Sequence, residues 1–387
     1  MTDTASGPAT GIRSGSIPPE ARAVLTINLG ALRTNWKTLN EVSGTAECAG
    51  VIKADAYGLG LEQIAHALRE EGCTTFFTAT LAEAKRVRND QPAATIYVLD
   101  GLLPGAAAYY AGFDLRPCLS SLAEVSEWAA FCDATGRRLR AAVHIDTGIN
   151  RLGLTPAEVD GLAADRSLLD RFEMSLVMSH LACADEPDHP MNEQQRQRFD
   201  GLRAKLPPAP ASLANSGGVF LGPKFHYDLV RPGIALYGGR ALQDRPNPMQ
   251  WVVRLQARIL QVREVPAGEP VGYGAMFHTQ RPSLLATLAC GYADGFLRAL
   301  SGTTGKPGPV GFVGDYQVPV VGRVSMDLIT VDVTDVPPEL ARRGAWVEVL
   351  GARTTVDDLT DRAGTIGYEL LTRLGRRVHR IYLENGA

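Results

Sequence analysis

The alternation of short β-rich runs with amphipathic stretches constrains the fold of this chain more than any other feature. After a helix-like stretch at Leu29–Val42, the sequence repeats this alternation as far as about residue 240. Strands that alternate with helices indicate a parallel sheet with helical crossovers. The predicted strands fit a (β/α)₈ barrel better than an open sheet; they are Cys48–Lys53, Thr75–Thr80, Thr95–Asp100, Asp114–Leu119, Leu139–Asp146, Met174–His180, Ala211–Asn215 and Leu229–Ala235.

From about Gln250 the pattern changes to short β runs separated by prolines, glycines and charged residues. Such runs with little helix between them indicate a second, mostly β domain. We therefore predict an α/β chain with a flexible tail at 1–22, a TIM-type barrel at 23–249 and a C-terminal, mostly β domain at 250–387. The predicted helices of the barrel are Leu61–Glu71, Leu81–Asn89, Leu122–Thr135 and Asn192–Lys205.

Charge, hydropathy and cysteine use exclude several classes of function. The chain has 39 Lys and Arg against 42 Asp and Glu, without a basic stripe, so we expect no nucleic-acid partner. No apolar run approaches the roughly 18 residues of a membrane helix, and the start of the chain lacks a hydrophobic secretory signal. The 6 cysteines form no CxxC pair, and the 7 histidines show no ligand spacing. We therefore expect no metal site, no disulfide framework and a cytoplasmic location.

Polar residues stand at or near the carboxyl ends of several predicted strands. In a (β/α)₈ barrel the chemistry takes place at that end, so these residues are expected to share one site. They are Lys53 at the end of the first strand, Arg151 after the fifth, His180 at the end of the sixth, Asn215 and Ser216 at the end of the seventh, and Arg231 in the eighth.

A lysine at a strand end, facing a phosphate-binding loop, indicates pyridoxal 5′-phosphate as cofactor. Barrels often bind phosphate in the loops after strands seven and eight, where "NSGG" and "RPGI" supply a hydroxyl, glycines and backbone N–H groups. Lys53 is suited to form a Schiff base with the aldehyde, since burial lowers the pKa of such a lysine. Arg231 is a candidate partner for the pyridine nitrogen.

Six motifs carry a resemblance to a known family. "KADAYG", "DTGINRLG", "NSGG", "RPGIALYG", "GYADG" and "GRVSMD" occur in the order and approximate spacing of the alanine racemase family, and the resemblance extends from about Ala23 to Tyr382. It implies a pyridoxal-phosphate-binding barrel followed by a β domain. It also implies interconversion of L-alanine and D-alanine, with D-alanine supplied to peptidoglycan.

The resemblance implies a role for individual residues. Lys53 matches the catalytic lysine, and Arg231 matches the partner of the pyridine nitrogen, with His180 packed beside it. The matches to other groups around the cofactor, mostly its phosphate, are Tyr57, Asn215, Ser216, Gly233, Ile234 and Tyr368.

The resemblance also implies a homodimer with shared active sites. Tyr292 matches a second catalytic base that acts in the other subunit, so that Lys53 and Tyr292 serve opposite faces of the substrate. Arg151 and the backbone at Met326 match the groups that hold the substrate carboxylate. Competing interpretations are a hydrogen-bonded core histidine for His180 and a core tyrosine for Tyr292.

The sequence departs from the family pattern at His144, seven residues before Arg151. Many relatives carry a carbamylated lysine there, and a histidine cannot form that carbamate. Either another anion orients Arg151, or His144 itself forms a hydrogen bond with it. Leu59 and Asp55 also replace residues common in the family, which affects fine specificity more than the reaction.

Three other functions compete with alanine racemisation. A racemase of the same fold could act on serine or on many amino acids, which a panel of substrates would separate. A related barrel decarboxylase would carry an acidic group where this chain has Arg231. A non-enzymatic carrier of pyridoxal phosphate would consist of the barrel alone, without the β domain and Tyr292.

Overall fold

The computed structural model describes residues 17–384, which form two compact units. One unit comprises residues 32–250, and the other combines residues up to 31 with residues from 251 onward. Of the tail predicted at 1–22, residues 1–16 lie outside the described part of the chain. Among residues 17–384, no helix is long and apolar enough to span a membrane.

Residues 32–250 form a closed barrel of parallel strands. Its first strand is interrupted at Ala49, whose N–H donates to the Val230 carbonyl at 3.0 Å, and the N–H of Arg231 donates to the Ala214 carbonyl at 2.9 Å. These bonds join the last strand to the first and to the seventh, which confirms the predicted (β/α)₈ barrel. The strands are Glu47–Cys48 with Gly50–Val51, Thr75–Thr78, Thr95–Val98, Arg116–Leu119, Arg140–His144, Glu173–Met178, Ala211–Ser212 and Leu229–Val230.

Capping side chains start several of the helices between the strands. Thr80 and Thr155 each accept a hydrogen bond from the backbone three residues on, and the glutamate at that position caps in return. The helices Ala107–Gly112 and Pro156–Ala164 were not predicted. The helices are Leu29–Ser43, Lys53–Tyr57, Leu61–Glu70, Leu81–Asp90, Ala107–Gly112, Leu122–Thr135, Pro156–Ala164, Pro190–Arg203 and Ser216–Phe220, with 3₁₀ turns at Leu169–Arg171, Pro223–Phe225 and Ile234–Tyr237.

The other unit is built on a sheet that closes into an antiparallel barrel. Its long strand Val253–Val265 pairs with Trp346–Leu350 over its first half and with Ser283–Leu288 over its second half. This unit confirms the predicted mostly β domain, although it also contains two short helices. The remaining elements are Ala23–Asn28, Pro270–Val271, Phe277–His278, Val310–Val313, Tyr316–Val321, Ile329–Asp332 and His379–Leu383, the helices Val356–Ala363 and Gly367–Thr372, and 3₁₀ turns at Tyr273–Ala275, Tyr292–Asp294 and Arg298–Leu300.

The first strand, Ala23–Asn28, belongs to this antiparallel unit. It pairs antiparallel with Val253–Val265 and parallel with His379–Leu383. The sequence pattern predicts instead that residue 23 begins the parallel barrel. The difference arises because the hydrogen-bond partners of this strand lie near the other end of the chain, where no local pattern in the first residues could indicate them.

Candidate active site

Lys53 lies just beyond the end of the first barrel strand. That strand ends at Val51, so the predicted extension as far as Lys53 is wrong. Lys53 opens the short turn Lys53–Tyr57, in which residues 54–57 have φ between 53° and 56°. A left-handed backbone costs about 1–2 kcal/mol per residue for side chains other than glycine. Such a turn persists only where its surroundings hold it in place.

The Lys53 amine lies in an electrostatic environment that favours its neutral form. Burial and the positive charge of Arg151 lower the pKa of Lys53, with a smaller contribution from Arg231. The carboxylates of Asp100 and Glu83 oppose this shift but do not cancel it. A lower pKa leaves more of the amine unprotonated at neutral pH, which is the form that attacks a carbonyl carbon.

Tyr57 is buried at the same end of the barrel, between a glycine and a second tyrosine. Its ring packs on the ring of Tyr237 with centroids 4.6 Å apart, and the Tyr237 hydroxyl donates to the Val51 carbonyl at 3.0 Å. A Cβ atom at Gly233 would lie 2.2 Å from the Tyr57 hydroxyl oxygen. Position 233 therefore accepts only glycine while Tyr57 keeps this position.

Ser216 links the loops that follow the seventh and eighth strands. Its hydroxyl oxygen accepts hydrogen bonds from the backbone N–H groups of Gly233 at 2.8 Å and Ala235 at 3.3 Å. Asn215 caps the helix that Ser216 begins, since Asn215 Oδ1 accepts from the N–H of Gly218 at 3.0 Å. The Tyr57 phenol, the Ser216 hydroxyl and Gly233 are thus brought together. Ile234 follows Gly233 as a buried side chain.

Arg231 is a buried cation fixed by hydrogen bonds. One guanidinium nitrogen donates to the Ser179 carbonyl at 2.6 Å, and the other donates to the Ser212 hydroxyl. The guanidinium carbon lies 5.8 Å from the centroid of the Phe77 ring. Burial lowers the pKa of Arg231 to about 10. At that value the side chain still carries its charge at neutral pH.

His180 lies two residues beyond the end of the sixth strand at Met178. Removal from water holds the pKa of His180 well below its ordinary value, and the charges of Arg231, Arg151 and Lys53 add to this shift. The imidazole is therefore neutral near pH 7. Since each of these cations acts on His180, the four side chains share one electrostatic environment at the carboxyl end of the barrel.

His144 ends the fifth strand as a buried histidine with one nitrogen that lacks a partner. The Ser120 hydroxyl donates to the Cys118 carbonyl at 3.1 Å and lies 3.3 Å from His144 Nδ1. A hydroxyl has one proton to donate, so we assign the proton of the second contact to Nδ1 and leave Nε2 as an acceptor. Among the described residues, Nε2 has no hydrogen-bond partner. Burial, followed by Arg231, lowers the pKa of His144 to about 4.

Tyr292 and Met326 lie side by side in the antiparallel unit. The N–H of Tyr292 donates to the Ser325 carbonyl at 3.1 Å, and a Cβ at Gly291 would lie 2.4 Å from the Met326 carbonyl oxygen. Both side chains are exposed, Tyr292 by 42% and Met326 by 53%. Tyr368, the other site residue predicted in this unit, is also exposed, on the helix Gly367–Thr372.

Sequence reasoning missed two side chains that support these positions. Tyr237 packs on Tyr57, and it lies in the quoted motif "RPGIALYG", where a tyrosine among buried apolar residues was the available signal. Asp294 is buried in the motif "GYADG", and its Oδ2 accepts from the N–H of Gly291 at 3.0 Å. This bond fixes the backbone turn that presents Tyr292.

Comparison with known proteins identifies relatives along almost the whole described chain. The family model of the alanine racemase N-terminal domain matches residues 27–241, and that of the C-terminal domain matches residues 252–382. An alanine racemase of Methylobacterium nodulans is 51% identical over 365 residues, which cover 94% of this chain and 97% of the relative. A catabolic alanine racemase of Mesorhizobium japonicum is 49% identical over 364 residues, covering 94% of each.

Solved structures of other proteins share the fold of this chain. The crystal structure of alanine racemase from Bartonella henselae, with covalently bound pyridoxal phosphate, has a TM-score of 0.88 and 39% sequence identity. The match covers 94% of this chain and 100% of the Bartonella chain. Both domain models, the close relatives and the shared architecture agree, and the chain therefore belongs to the alanine racemase family of enzymes.

Proposed function

We propose that this chain interconverts L-alanine and D-alanine with pyridoxal 5′-phosphate as cofactor. The observation that supports this most directly is the Lys53 amine, whose pKa is lowered by burial and by Arg151. It lies at a barrel end that also carries Tyr57, Ser216 and Arg231. The Bartonella henselae relative carries pyridoxal phosphate covalently bound, which supports the same cofactor here.

The residues around Gly233 fit the phosphate of this cofactor. The Tyr57 phenol and the Ser216 hydroxyl flank Gly233, where the backbone has no side chain in the way. We propose that these groups hold the phosphate, together with the backbone at Ile234 and with Asn215, which orients the adjoining turn. Tyr368 is a further proposed phosphate contact that rests on the sequence resemblance alone.

Lys53 and Arg231 fit the two reactive ends of the cofactor. When bound, pyridoxal phosphate supplies an aldehyde that condenses with amines and a ring that withdraws electrons from the α-carbon. We propose that the Lys53 amine would react with the aldehyde and that Arg231 would donate a hydrogen bond to the ring nitrogen. His180 would be the neutral neighbour of Arg231. Arg231 retains its proton at neutral pH, which limits electron withdrawal and disfavours side reactions such as transamination.

Racemisation needs two groups that exchange a proton with the α-carbon from opposite faces. We propose that Lys53 Nζ serves one face and that the phenol of Tyr292 of the partner subunit serves the other. The ordinary pKa of a tyrosine is about 10, so a nearby positive charge has to favour the phenolate. Arg151 is a candidate for that charge and for binding the substrate carboxylate, together with the backbone at Met326.

We propose that His144 Nε2, which has no hydrogen-bond partner among the described residues, is the acceptor that orients Arg151 in the substrate-bound enzyme. A neutral imidazole with a lone pair on Nε2 accepts from a guanidinium, and the same lone pair would repel an anion. Replacement of His144 by Phe should raise the KM for alanine about tenfold with little change in kcat, because one hydrogen bond to a charged group is lost. His144→Gln, which offers an amide oxygen, should recover part of the loss. A KM that falls when a halide is added would favour a bound anion instead.

A shared active site implies a homodimer, and we propose that state for the working enzyme. The exposed Tyr292 side chain supports it, since 42% of that residue is open to solvent in a single chain. We further propose that the enzyme is cytoplasmic and that it supplies D-alanine for peptidoglycan. The described cysteines are all free thiols, which suits a reducing compartment.

Turnover on a panel of amino acids tests the proposed reaction. The purified protein, loaded with pyridoxal phosphate, should convert L-alanine and D-alanine to the same mixture, measured by chiral separation. L-Serine should react much more slowly. Comparable rates for serine would make the broad-spectrum racemase the better description, and no turnover of either substrate would reject racemisation. Loss of CO₂ from the substrate would indicate the decarboxylase.

A further inference from the structure

The left-handed turn Lys53–Tyr57 is held from outside by an arginine on a neighbouring helix. Arg86, on the helix Leu81–Asp90, donates from Nη2 to Asp55 Oδ1 at 2.9 Å. The same guanidinium donates from Nε and Nη2 to the two carboxylate oxygens of Glu62, both at 2.7 Å. This paired contact fixes the plane of the guanidinium. Arg86 therefore meets the turn in one defined orientation.

Glu83 holds the backbone of the same turn from the same helix. Its Oε1 accepts from the N–H of Asp55 at 3.2 Å, while Oε2 accepts from the N–H groups of Ala79 at 3.0 Å and Thr80 at 3.3 Å. Glu83 and Arg86 lie three residues apart, on one face of the helix. Together they bind both the main chain and the carboxylate of Asp55, the second of the four left-handed residues.

The contact of Arg86 has more hydrogen bonds than an ordinary surface ion pair, since one guanidinium binds two carboxylates. Isolated exposed pairs add little stability, whereas paired guanidinium–carboxylate contacts within a network contribute more. The hydrogen bonds that Arg86 donates to Glu62 and Asp55 raise the pKa of Arg86 above its ordinary value, although the side chain is 41% exposed. The turn they hold contains no glycine at residues 54–57, so its conformation depends on such contacts.

We propose that Arg86 is a positioning residue, which holds the turn carrying Lys53 and Tyr57 in the geometry that receives the cofactor. This inference rests on the proposed function. Arg86 acts through the Asp55 carboxylate on the turn, since the charges that shift the pKa of Lys53 are those of Arg151, Asp100, Glu83 and Arg231. Loss of Arg86 should therefore change the order of the turn and the affinity for the cofactor together.

Replacement of Arg86 by Met keeps an unbranched, flexible side chain and removes its hydrogen bonds. The dissociation constant for pyridoxal phosphate, titrated into the apoprotein, should rise about tenfold, as expected for one charge-assisted hydrogen bond. Amide hydrogen exchange at residues 54–58 of the apoprotein should become faster, while exchange in the other barrel strands stays as in the parent. Equal affinity and equal exchange at the turn would overturn the proposal.

A second substitution distinguishes the proposed role from a general loss of stability. Ala54 is an exposed residue in the left-handed region, where glycine has no steric penalty. Ala54→Gly, added to Arg86→Met, should restore at least part of the cofactor affinity. No recovery would overturn the positioning role. If R86M does not fold, R86K is measured instead. Its affinity for pyridoxal phosphate should lie between that of the parent and a complete loss of binding.

Arg140→Met provides the matched control. Arg140 forms a similar exposed ion pair with Glu173, with Nε and Oε1 3.0 Å apart, at the start of the fifth strand. Arg140→Met should leave the cofactor affinity unchanged. If its affinity falls as much as that of R86M, the specific role of Arg86 is overturned. Cofactor binding by the parent protein distinguishes the two proposals. If the parent does not bind pyridoxal phosphate the proposed function fails, whereas parental binding by R86M rejects this inference alone.

Discussion

The environment of Lys53 makes one amine in this chain chemically distinct from the other lysines. It is half-buried among positive charges, and its pKa is lowered by burial and by Arg151. Lys224, by contrast, is 59% exposed and forms an ion pair with Glu193. If only a poorly solvated amine reacts with the cofactor aldehyde, replacement of Lys53 should prevent cofactor attachment and replacement of Lys224 should not.

Lys53→Ala should abolish both cofactor attachment and turnover. After borohydride reduction, mass spectrometry should find no pyridoxal phosphate fixed to the variant, and racemisation of L-alanine should fall about a thousandfold or more. Lys224→Ala should retain attachment at residue 53 and parental rates. Attachment that persists in Lys53→Ala would assign the reaction to a different lysine.

His144 makes the stability of the folded chain depend on pH. Burial and Arg231 lower the pKa of His144 from 6.5 to about 4 in the folded state. Between these two values the unfolded chain binds a proton that the folded chain does not bind, so stability falls as the pH decreases from 6.5 to 4. Above pH 6.5 this contribution is fully present.

His144→Phe should reduce the dependence of unfolding free energy on pH within that window. The slope should fall by up to about 1.4 kcal/mol per pH unit, the value for one proton. Urea unfolding at several pH values measures the slope in the parent and in His144→Phe. An unchanged slope in His144→Phe would show that the histidine is protonated in the folded chain as readily as in the unfolded chain.

At the scale of elements, the site depends on close approach between the first and the last barrel strands. A Cβ at Gly233 would lie 2.2 Å from the Tyr57 hydroxyl. Gly233→Ala should therefore displace Tyr57, lower the free energy of unfolding by about 1–3 kcal/mol and weaken cofactor binding. Thermal melts and cofactor titration measure the two effects.

A double variant and a matched glycine test the cause of this loss. Gly233→Ala with Tyr57→Phe removes the clashing hydroxyl, so the melting temperature should recover while cofactor binding stays weak. Gly201→Ala, in the helix Pro190–Arg203 with no atom within 4 Å of the added methyl, should stabilise the chain by about 0.5–1 kcal/mol. A melting temperature of Gly233→Ala equal to that of the parent would contradict the predicted clash.

The sequence predicted whole elements better than their ends. The periodic pattern at Leu122–Thr135 predicts that helix with its observed bounds, because Ser121 caps its start and Gly136 ends it. The sixth and seventh strands were predicted two and three residues too long at their carboxyl ends, where the apolar run continues into loops. The left-handed turn at Lys53–Tyr57 was not predictable, since "KADAY" lacks the glycine that usually marks positive φ.

Candidate site residues stand out in the sequence where chemistry and position coincide. Lys53, Ser216 and Arg231 stand out because each is a polar or charged residue at or near the end of a mostly apolar run. Arg86 and Glu83 did not stand out, because charged residues on an amphipathic helix are ordinary at the surface. Their partner, Asp55, lies on a turn whose course only the three-dimensional structure gives.

At the scale of the whole molecule, the proposed reaction requires two copies of the chain. Lys53→Ala and Tyr292→Phe should each be inactive alone. If Tyr292 acts in the partner's site, a mixed dimer contains one site with both groups intact. In a random mixture about one quarter of all sites would then be complete. Co-expression of the two variants should therefore recover roughly that share of the parental rate.

The same experiment gives the opposite result if Tyr292 acts within its own chain. Every site of a mixed dimer then lacks one group, and no activity returns. Co-expression of Lys53→Ala with itself, under two purification tags, is the control for contamination by parental enzyme. Sedimentation of the mixture at assay concentration verifies that dimers are present when rates are measured.

The placement of the strand Ala23–Asn28 has a consequence for synthesis on the ribosome. This strand emerges early, yet its neighbours in the sheet are Val253–Val265 and His379–Leu383. The parallel barrel has all its strands by the time Val230 has left the exit tunnel, while Ala23–Asn28 still awaits Val253–Val265 and His379–Leu383. Ala23–Asn28 therefore remains without its sheet partners throughout translation of the barrel, a period in which chaperones or a second nascent copy have access to it.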